Sequence, residues 1–380
     1  MSATKRIFIS AGEQSGDMHA AGLVRELLRF SPNLEIAGLG GDNLEKLGVR
    51  LLYHCRDLAA MGFWEVIKRL SFFFDVRNDC VKYMKAQRPD LTILVDYPGM
   101  NLKLAKASHG LKIPTAYFIM PQVWAWKPKR IYSLKKYCHS LLSILPFERE
   151  FFNKYDVEVD YIGHPLIDII PEDTDKNAVC KKLGLEPGCK IIAFLPGSRQ
   201  QELHRNLAPM RDAFRLLREK YEHITGIIIK ASNLSIERYK AILRDQYDSF
   251  RIVSENKYDY IKASNAAVVA SGTATLETAL CGTPAVVVYR TSPLTYMIAK
   301  RLVKVDTIAL ANLVSGEKLF PELIQNRATA YNIHVKIAEL LENQKQADNI
   351  REKLAGIRHS LKPGKAYERG AKLLFEKYLT

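Results

Sequence analysis

The sequence predicts an α/β protein of two doubly wound parallel-sheet domains, and three observations lead there. Short apolar runs with the character of buried parallel strands alternate with helix-period patterns along the 380 residues. The alternation comes in two series. Between them lies Gly163-His164-Pro165 to Pro171-Glu172-Asp173, with two prolines and an acidic cluster, the best linker in the chain. The loops richest in glycine and polar residues fall just after strand-like runs, where open α/β sheets bind ligands. The expected domains are 1–168 and 169–360, with a helical tail at 361–380. The carboxyl ends of both sheets are expected to face a shared cleft.

In the first series, Ile7 to Ser10, Glu35 to Leu39, Leu91 to Val95, Thr115 to Ile119 and Leu141 to Leu145 read as strands. Helical patterns lie between them, clearest at His19 to Phe30 and Phe147 to Tyr155. In the second series the strands are Ile191 to Leu195, Gly226 to Ile229, Arg251 to Val253, Ala266 to Ala270 and Ala285 to Val288. The Ala266 strand runs through Ser271-Gly272 into a helix that continues to about Cys281, where Gly282, Thr283 and Pro284 stop it.

Composition narrows the function classes. The chain is 47% apolar and 26% charged, that of a folded domain rather than a disordered one. Its six cysteines (Cys55, Cys80, Cys138, Cys180, Cys189 and Cys281) are scattered without CxxC spacing, which reads as reduced thiols in a cytosolic protein. No signal peptide and no apolar run long enough to span a membrane is recognised. The net charge of +15 is uneven. Between Asp96 and Glu148 there is no acidic residue. Lys103, Lys106, Lys112, Lys127, Lys129, Arg130, Lys135 and Lys136 fall there, interleaved with Tyr117, Phe118, Trp124, Trp126 and Tyr132. Nucleic acid, an anionic membrane or a phosphorylated amphiphile suits such a surface; a solvated basic face is the plainer reading.

The candidate motifs sit after strands. Gly12-Glu13-Gln14-Ser15-Gly16-Asp17-Met18-His19 packs carboxylates, a hydroxyl and an imidazole at a strand-to-helix turn, where Ser15 or Asp17 equally well caps the helix. Asp96, in Asp96-Tyr97-Pro98-Gly99-Met100-Asn101, stands at the end of a buried strand, with Pro98 and Gly99 expected to make a sharp turn that aims it. It is a candidate general base, or a helix cap. Trp124 and Trp126 beside lysines read as a wall for a sugar or acyl chain, or as core. In Leu195-Pro196-Gly197-Ser198-Arg199, the arginine suits a diphosphate and Gly197 permits close backbone approach; a surface arginine is the alternative. The helix opened by Gly272, Thr273 and Thr275 offers free N–H groups and a positive dipole end to a phosphate, and Glu277 one turn on suits sugar hydroxyls. Asn312 is a plausible polar cleft residue. The segment Met61 to Phe74, with Phe63, Trp64, Phe72 and Phe73 around Lys68 and Arg69, reads either as an interfacial amphipathic element or as a core helix.

Taken together and in order, these stretches resemble the lipid-A-disaccharide synthases, glycosyltransferases of the GT-B type with two Rossmann-like domains. The resemblance rests on Gly12 to Asp17, Asp96 to Asn101, Pro121 to Trp126, Leu145-Pro146-Phe147-Glu148, Gly163 to Leu166, Leu195 to Arg199 with Glu202, Ser271 to Glu277, and Asn312. It implies transfer of 2,3-diacylglucosamine from its UDP derivative to the 6-hydroxyl of 2,3-diacylglucosamine 1-phosphate (lipid X). The product is a β-1′,6-linked disaccharide, formed with inversion. No cofactor and no metal are implied, and no DxD-like pair or histidine cluster is expected. The resemblance casts Asp96 as base, Arg199 and the Gly272–Thr275 helix start as the diphosphate site, Glu277 as the ribose ligand and Asn312 as a further UDP contact. Glu13, Ser15 and His19 would line the acceptor side. Phe63, Trp64, Phe72 and Phe73, with the basic stretch, would dock a cytoplasmic enzyme on the anionic inner face of the inner membrane. A UDP-N-acetylglucosamine 2-epimerase or another GT-B enzyme is the nearest alternative. Nucleic acid is not an expected partner, lacking any zinc-knuckle, RRM or helix-turn-helix signature, and a homodimer stays open.

Overall fold

The structure, a computed structural model, describes residues 4–58, 70–125, 127–186, 188–292, 296–297 and 306–380. The chain divides into two compact units. One holds the chain up to Asp168 together with Leu361–Thr380, and the other lies between Ile169 and Ser360.

The first unit is built on a seven-stranded parallel sheet in the order β3-β2-β1-β4-β5-β6-β7. Its strands are β1 (Arg6–Ala11), β2 (Glu35–Gly40), β3 (Arg50–His54), β4 (Leu91–Val95), β5 (Thr115–Phe118), β6 (Ser140–Ser143) and β7 (Asp160–Tyr161). Every residue of β4 and β5 is buried, because helices cover both faces and leave no polar side to the strand. Phe8, Leu94, Met100, Leu104, Tyr117, Leu134 and Phe152 join one core cluster. Tyr117 and Phe118 are therefore core, a correction to their placement on the basic surface; among the described members of that aromatic set Tyr132 is the one well exposed. The edge strands β3 and β7 escape the sequence pattern because they are short and only half-buried, so their apolar signal is diluted.

The Gln14–Phe30 helix begins five residues earlier than its apolar periodicity indicates. Small and polar Ser15, Gly16 and Asp17 hide its first turn from the pattern. On its outer side lies the Ala366–Tyr378 helix, which returns the end of the chain to this unit. The Tyr367 hydroxyl bonds His19 Nδ1 at 2.9 Å, and Phe30 stacks on Phe375 with centroids 5.6 Å apart. Asp168 accepts from the backbone N–H groups of Lys365 and Ala366, capping that helix from nearly two hundred residues upstream. His164 is buried beside it; its Nδ1 accepts from Leu166 N at 3.1 Å, and burial lowers its pKa to about 3.

The second unit carries a six-stranded parallel sheet in the order β10-β9-β8-β11-β12-β13. The strands are β8 (Lys190–Leu195), β9 (Ile224–Ile229), β10 (Phe250–Val253), β11 (Ala266–Ala270), β12 (Ala285–Tyr289) and β13 (Glu322–Ile324). Phe194, Phe214 and Phe250 meet with centroids 4.7–5.5 Å apart. Each buried ring contributes about 1.5–3 kcal/mol. No helix among the described residues is long and apolar enough to cross a membrane.

Candidate functional site

In both sheets the strand order reverses beside the first strand of the unit, between β1 and β4 and again between β8 and β11. Connections leave such a point toward opposite faces, so a crevice opens at the carboxyl ends of the two strands. Four of the motif loops lie at these two positions, while the loop of the Pro121 to Trp126 motif follows β5. In the first sheet Ala11 pairs with Val95, so Gly12–Glu13 and Asp96–Tyr97 emerge side by side. In the second, Leu195 pairs with Val269, bringing Pro196–Arg199 next to Ser271–Thr273.

The turn that presents Asp96 is built differently from the expectation. Asp96 and Tyr97 are themselves left-handed, with φ of +46° and +47°, and Pro98 is the first residue of the Pro98–Gly110 helix rather than part of the turn. Two left-handed residues with side chains cost about 1–2 kcal/mol each. The Asp96 carbonyl is held by the Tyr117 hydroxyl at 2.6 Å and by Asn101 Nδ2 at 2.7 Å. Asn101 also reaches the carbonyls of Ser10 (3.2 Å) and Val95 (3.1 Å) and accepts from Ser10 Oγ at 2.6 Å. One buried amide thus ties the ends of β1 and β4 to the turn. The Tyr97 ring lies across Gly12, where an added Cβ would come within 2.2 Å of it. From the sequence Asn101 is only the last residue of its motif and Tyr117 a member of the basic-aromatic stretch, and neither is expected to hold this turn. A buried amide one turn into a helix, flanked by Met100 and Leu104, is the signal that was there to find.

The remaining first-unit residues have mixed placements. Glu13 is half-buried at the helix N-cap and Ser15 is exposed in the first turn. Neither Ser15 nor Asp17 caps its own helix. Asp17 is buried and instead accepts from Gly41 N (2.6 Å), Asn43 N (3.0 Å) and Leu44 N, capping the short Asp42–Glu45 helix after β2. His19 is buried, and its Nδ1 is engaged by Tyr367, so the acceptor-lining expectation is corrected: it anchors the last helix. Trp124 donates to Glu148 at 3.1 Å and packs edge-on against Phe147; Trp126 lies outside the described residues. Burial pushes the Glu148 carboxyl up against hydrogen bonds from Ser143 and Trp124 that pull it down. Phe63 and Trp64 also lie outside the described residues. Phe72 and Phe73 pack onto the core, which corrects their expected exposure; Leu70 and Phe74, 43% and 50% accessible, face out instead, with Lys103 over the Phe74 ring.

In the second unit Arg199 is the N-cap residue of the Gln200–Lys220 helix, and its side chain is 53% accessible. The Glu202 side chain packs against Gly197. At φ +114° an added Cβ would meet that carboxylate at 2.5 Å. Glu202 accepts from Ser198 N (3.2 Å) and Arg199 N (3.4 Å) and pairs with the Arg199 guanidinium at 3.4 Å. Asn206 holds the Pro196 carbonyl from below. The adjacent Thr273–Leu280 helix opens with exposed Gly272 and Thr273. Its far end meets the Arg358 guanidinium, bonded to the Leu280 carbonyl, which complements the helix dipole.

Two residues expected to touch UDP have other tasks. Thr275 is fully buried; its hydroxyl donates to the Gly272 carbonyl at 2.8 Å and accepts from Ala311 N. Asn312 is buried too, bonding the Phe320 backbone through both amide atoms at 2.9 Å and reaching Thr307 and Glu322. Both brace loops around the helix start. Glu277 is nearly buried, and its Oε1 accepts from Lys257 Nζ at 2.8 Å and Tyr258 Oη at 2.9 Å. One further correction concerns metal-ligand spacing, because Asp173-Thr174-Asp175 is a DxD triplet. There Asp175 caps the Lys176–Leu183 helix, and the Thr174 hydroxyl donates to Asp259.

Comparison with known proteins separates fold from family. The solved structure of a putative UDP-N-acetylglucosamine 2-epimerase from Listeria monocytogenes superposes with a TM-score of 0.65 at 15% identity, covering 100% of this chain and 98% of that one. The calicheamicin glycosyltransferase CalG4 gives 0.63 at 14% identity, covering all of both chains. At such identities the likeness shows the fold alone, which is GT-B. The model of the lipid-A-disaccharide synthetase family matches residues 7–372. The lipid-A-disaccharide synthase of Geobacter sulfurreducens is 35% identical over 373 residues, 98% of this chain and 97% of that relative.

Proposed function

The chain belongs to the lipid-A-disaccharide synthetase family, glycosyltransferases of lipid A biosynthesis, and from that premise we propose that it joins UDP-2,3-diacylglucosamine to lipid X with inversion. The observation that carries the assignment of roles is the pairing of motif loops at both strand-order reversals. Asp96 acts as general base. It takes the proton of the acceptor 6-hydroxyl as that oxygen attacks the anomeric carbon, and the bond from that carbon to the UDP oxygen breaks in the same step. Negative charge then gathers on the leaving diphosphate. Arg199 neutralises it bidentately, with the N–H groups of the helix opened by Gly272 and Thr273. Glu277 takes the uridine ribose. Glu13 and Ser15 line the acceptor side.

The strained turn at Asp96 supports the base assignment. Left-handed backbone held by two side-chain donors is a cost that structures retain where a group must be aimed. Exposed Lys103, Lys106, Lys127, Lys129, Lys135 and Lys136, with Leu70, Phe74 and Tyr132, support peripheral docking on an anionic membrane.

The test is UDP release from UDP-2,3-diacylglucosamine with and without lipid X, in detergent and chelator, for wild type and Asp96→Asn. Acceptor-dependent release with a disaccharide product is expected, lowered about 10²–10⁴-fold in the variant. Release without acceptor, or a variant near wild type, would overturn the substrate or the base assignment respectively.

A further inference from the structure

Glu277 has two carboxylate oxygens in unequal situations. Oε1 receives both the Lys257 ammonium and the Tyr258 hydroxyl, while Oε2 has no hydrogen-bond partner among the described residues. The two donors come from consecutive residues opening the Lys257–Ala263 helix, which packs against the Thr273–Leu280 helix that carries Glu277. The left-handed N-cap residue Asn256, at φ +50°, sets the start of that helix.

We infer that Lys257 and Tyr258 form a clamp that adapts Glu277 to a ribonucleoside diphosphate, setting both its orientation and its charge. The inference rests on the proposed UDP site and deepens it. A carboxylate is a good acceptor for vicinal sugar hydroxyls and a poor neighbour for a diphosphate, because like charges in a partly buried site repel. An ammonium on Oε1 offsets that repulsion and leaves Oε2 as an acceptor. The tyrosine hydroxyl removes the remaining rotational freedom, so Oε2 waits in one position and less ordering is needed when the nucleotide binds. Lys257 therefore bears on affinity for the phosphates, and Tyr258 on discrimination for the ribose. Both are positioning residues acting through Glu277.

The experiment is calorimetric titration of the full chain with UDP, 2′,3′-dideoxy-UDP and uridine, for wild type, Glu277→Gln, Lys257→Met and Tyr258→Phe, with thermal midpoints recorded beside each. Wild type is expected to prefer UDP over its dideoxy analogue, and Glu277→Gln to lose that preference. Tyr258→Phe is expected to shrink the preference about three- to tenfold, the worth of one hydrogen bond. Lys257→Met is expected to weaken UDP more than uridine, with the loss recovered in the Lys257→Met, Glu277→Gln double variant. A purely structural role would lower all three ligands alike and would not be rescued by the second substitution. If Glu277→Gln removes the ribose preference while the clamp variants bind as wild type, the clamp is overturned and the ribose assignment stands. If Glu277→Gln leaves the preference intact, or UDP does not bind, the site reading falls and the clamp with it.

Discussion

Removing one hydroxyl tests how the Asp96 turn is held. In Tyr117→Phe the ring keeps its place in the core, and only the 2.6 Å bond to the Asp96 carbonyl disappears. The carbonyl retains Asn101 at 2.7 Å, so no buried acceptor is left bare. The two left-handed residues oppose folding by about 2–4 kcal/mol together, and two hydrogen bonds return about 1–3 kcal/mol. The turn is thus near balance, and losing one bond releases it by about 1 kcal/mol. In a unit of this size that lowers the thermal midpoint by about 2–4 °C. It also lowers kcat by up to about fivefold, because the presented geometry is then populated less. KM for both substrates should hold, since Tyr117 is buried behind the turn. Asn101→Ala should cost more, about 2–4 kcal/mol, because it strips partners from the Ser10 and Val95 carbonyls as well. Initial rates and thermal melts on the same preparations decide the matter. Tyr117→Phe with wild-type kcat and midpoint would refute the claim that the hydroxyl holds the turn.

Two further outcomes follow from single side chains. His164 is kept neutral by burial, with its pKa lowered from 6.5 to about 3. Between those values the unfolded chain binds a proton that the folded chain refuses. Its contribution to stability is therefore full above pH 6.5 and falls as pH drops toward 3, by at most about 1.4 kcal/mol per pH unit. His164→Asn keeps an acceptor for Leu166 N without titrating, and the urea midpoint between pH 6.5 and 5 should flatten; an unchanged slope would place the acid lability elsewhere. Arg199→Lys keeps the charge at an exposed position but loses the planar fork. Its kcat/KM should fall about 10- to 100-fold with an unchanged thermal midpoint, and equal activity of the two residues would show that no bidentate contact is made.

The chain order of strands and helices was legible because burial on both faces writes itself into local sequence. A strand such as Val268–Val269 between covered faces has no choice but to be apolar throughout, and a short window detects that. The site loops were legible for a related reason, since glycine and polar residues directly after such a run mark where the backbone leaves the sheet. The family was legible from the ordered set of those loops. What any one polar side chain does was not. Asp17, His19, Thr275 and Asn312 look alike from sequence as available site groups, and each is taken by a partner that only folding brings near: Gly41 and Asn43, Tyr367, Ala311, Phe320. The same holds for the tail, whose return to the first unit depends on Asp168 capping a helix far along the chain. Asp96 stands out by its position, yet the left-handed turn that presents it depends on Tyr117 and Asn101, whose hydrogen bonds offset most of a local preference for ordinary backbone. Which segments are buried and where loops emerge can be read along the chain, because solvent exclusion acts residue by residue. Which polar groups remain to meet a ligand follows from the folded arrangement, because a hydrogen bond depends on distance in space and has no counterpart in sequence spacing.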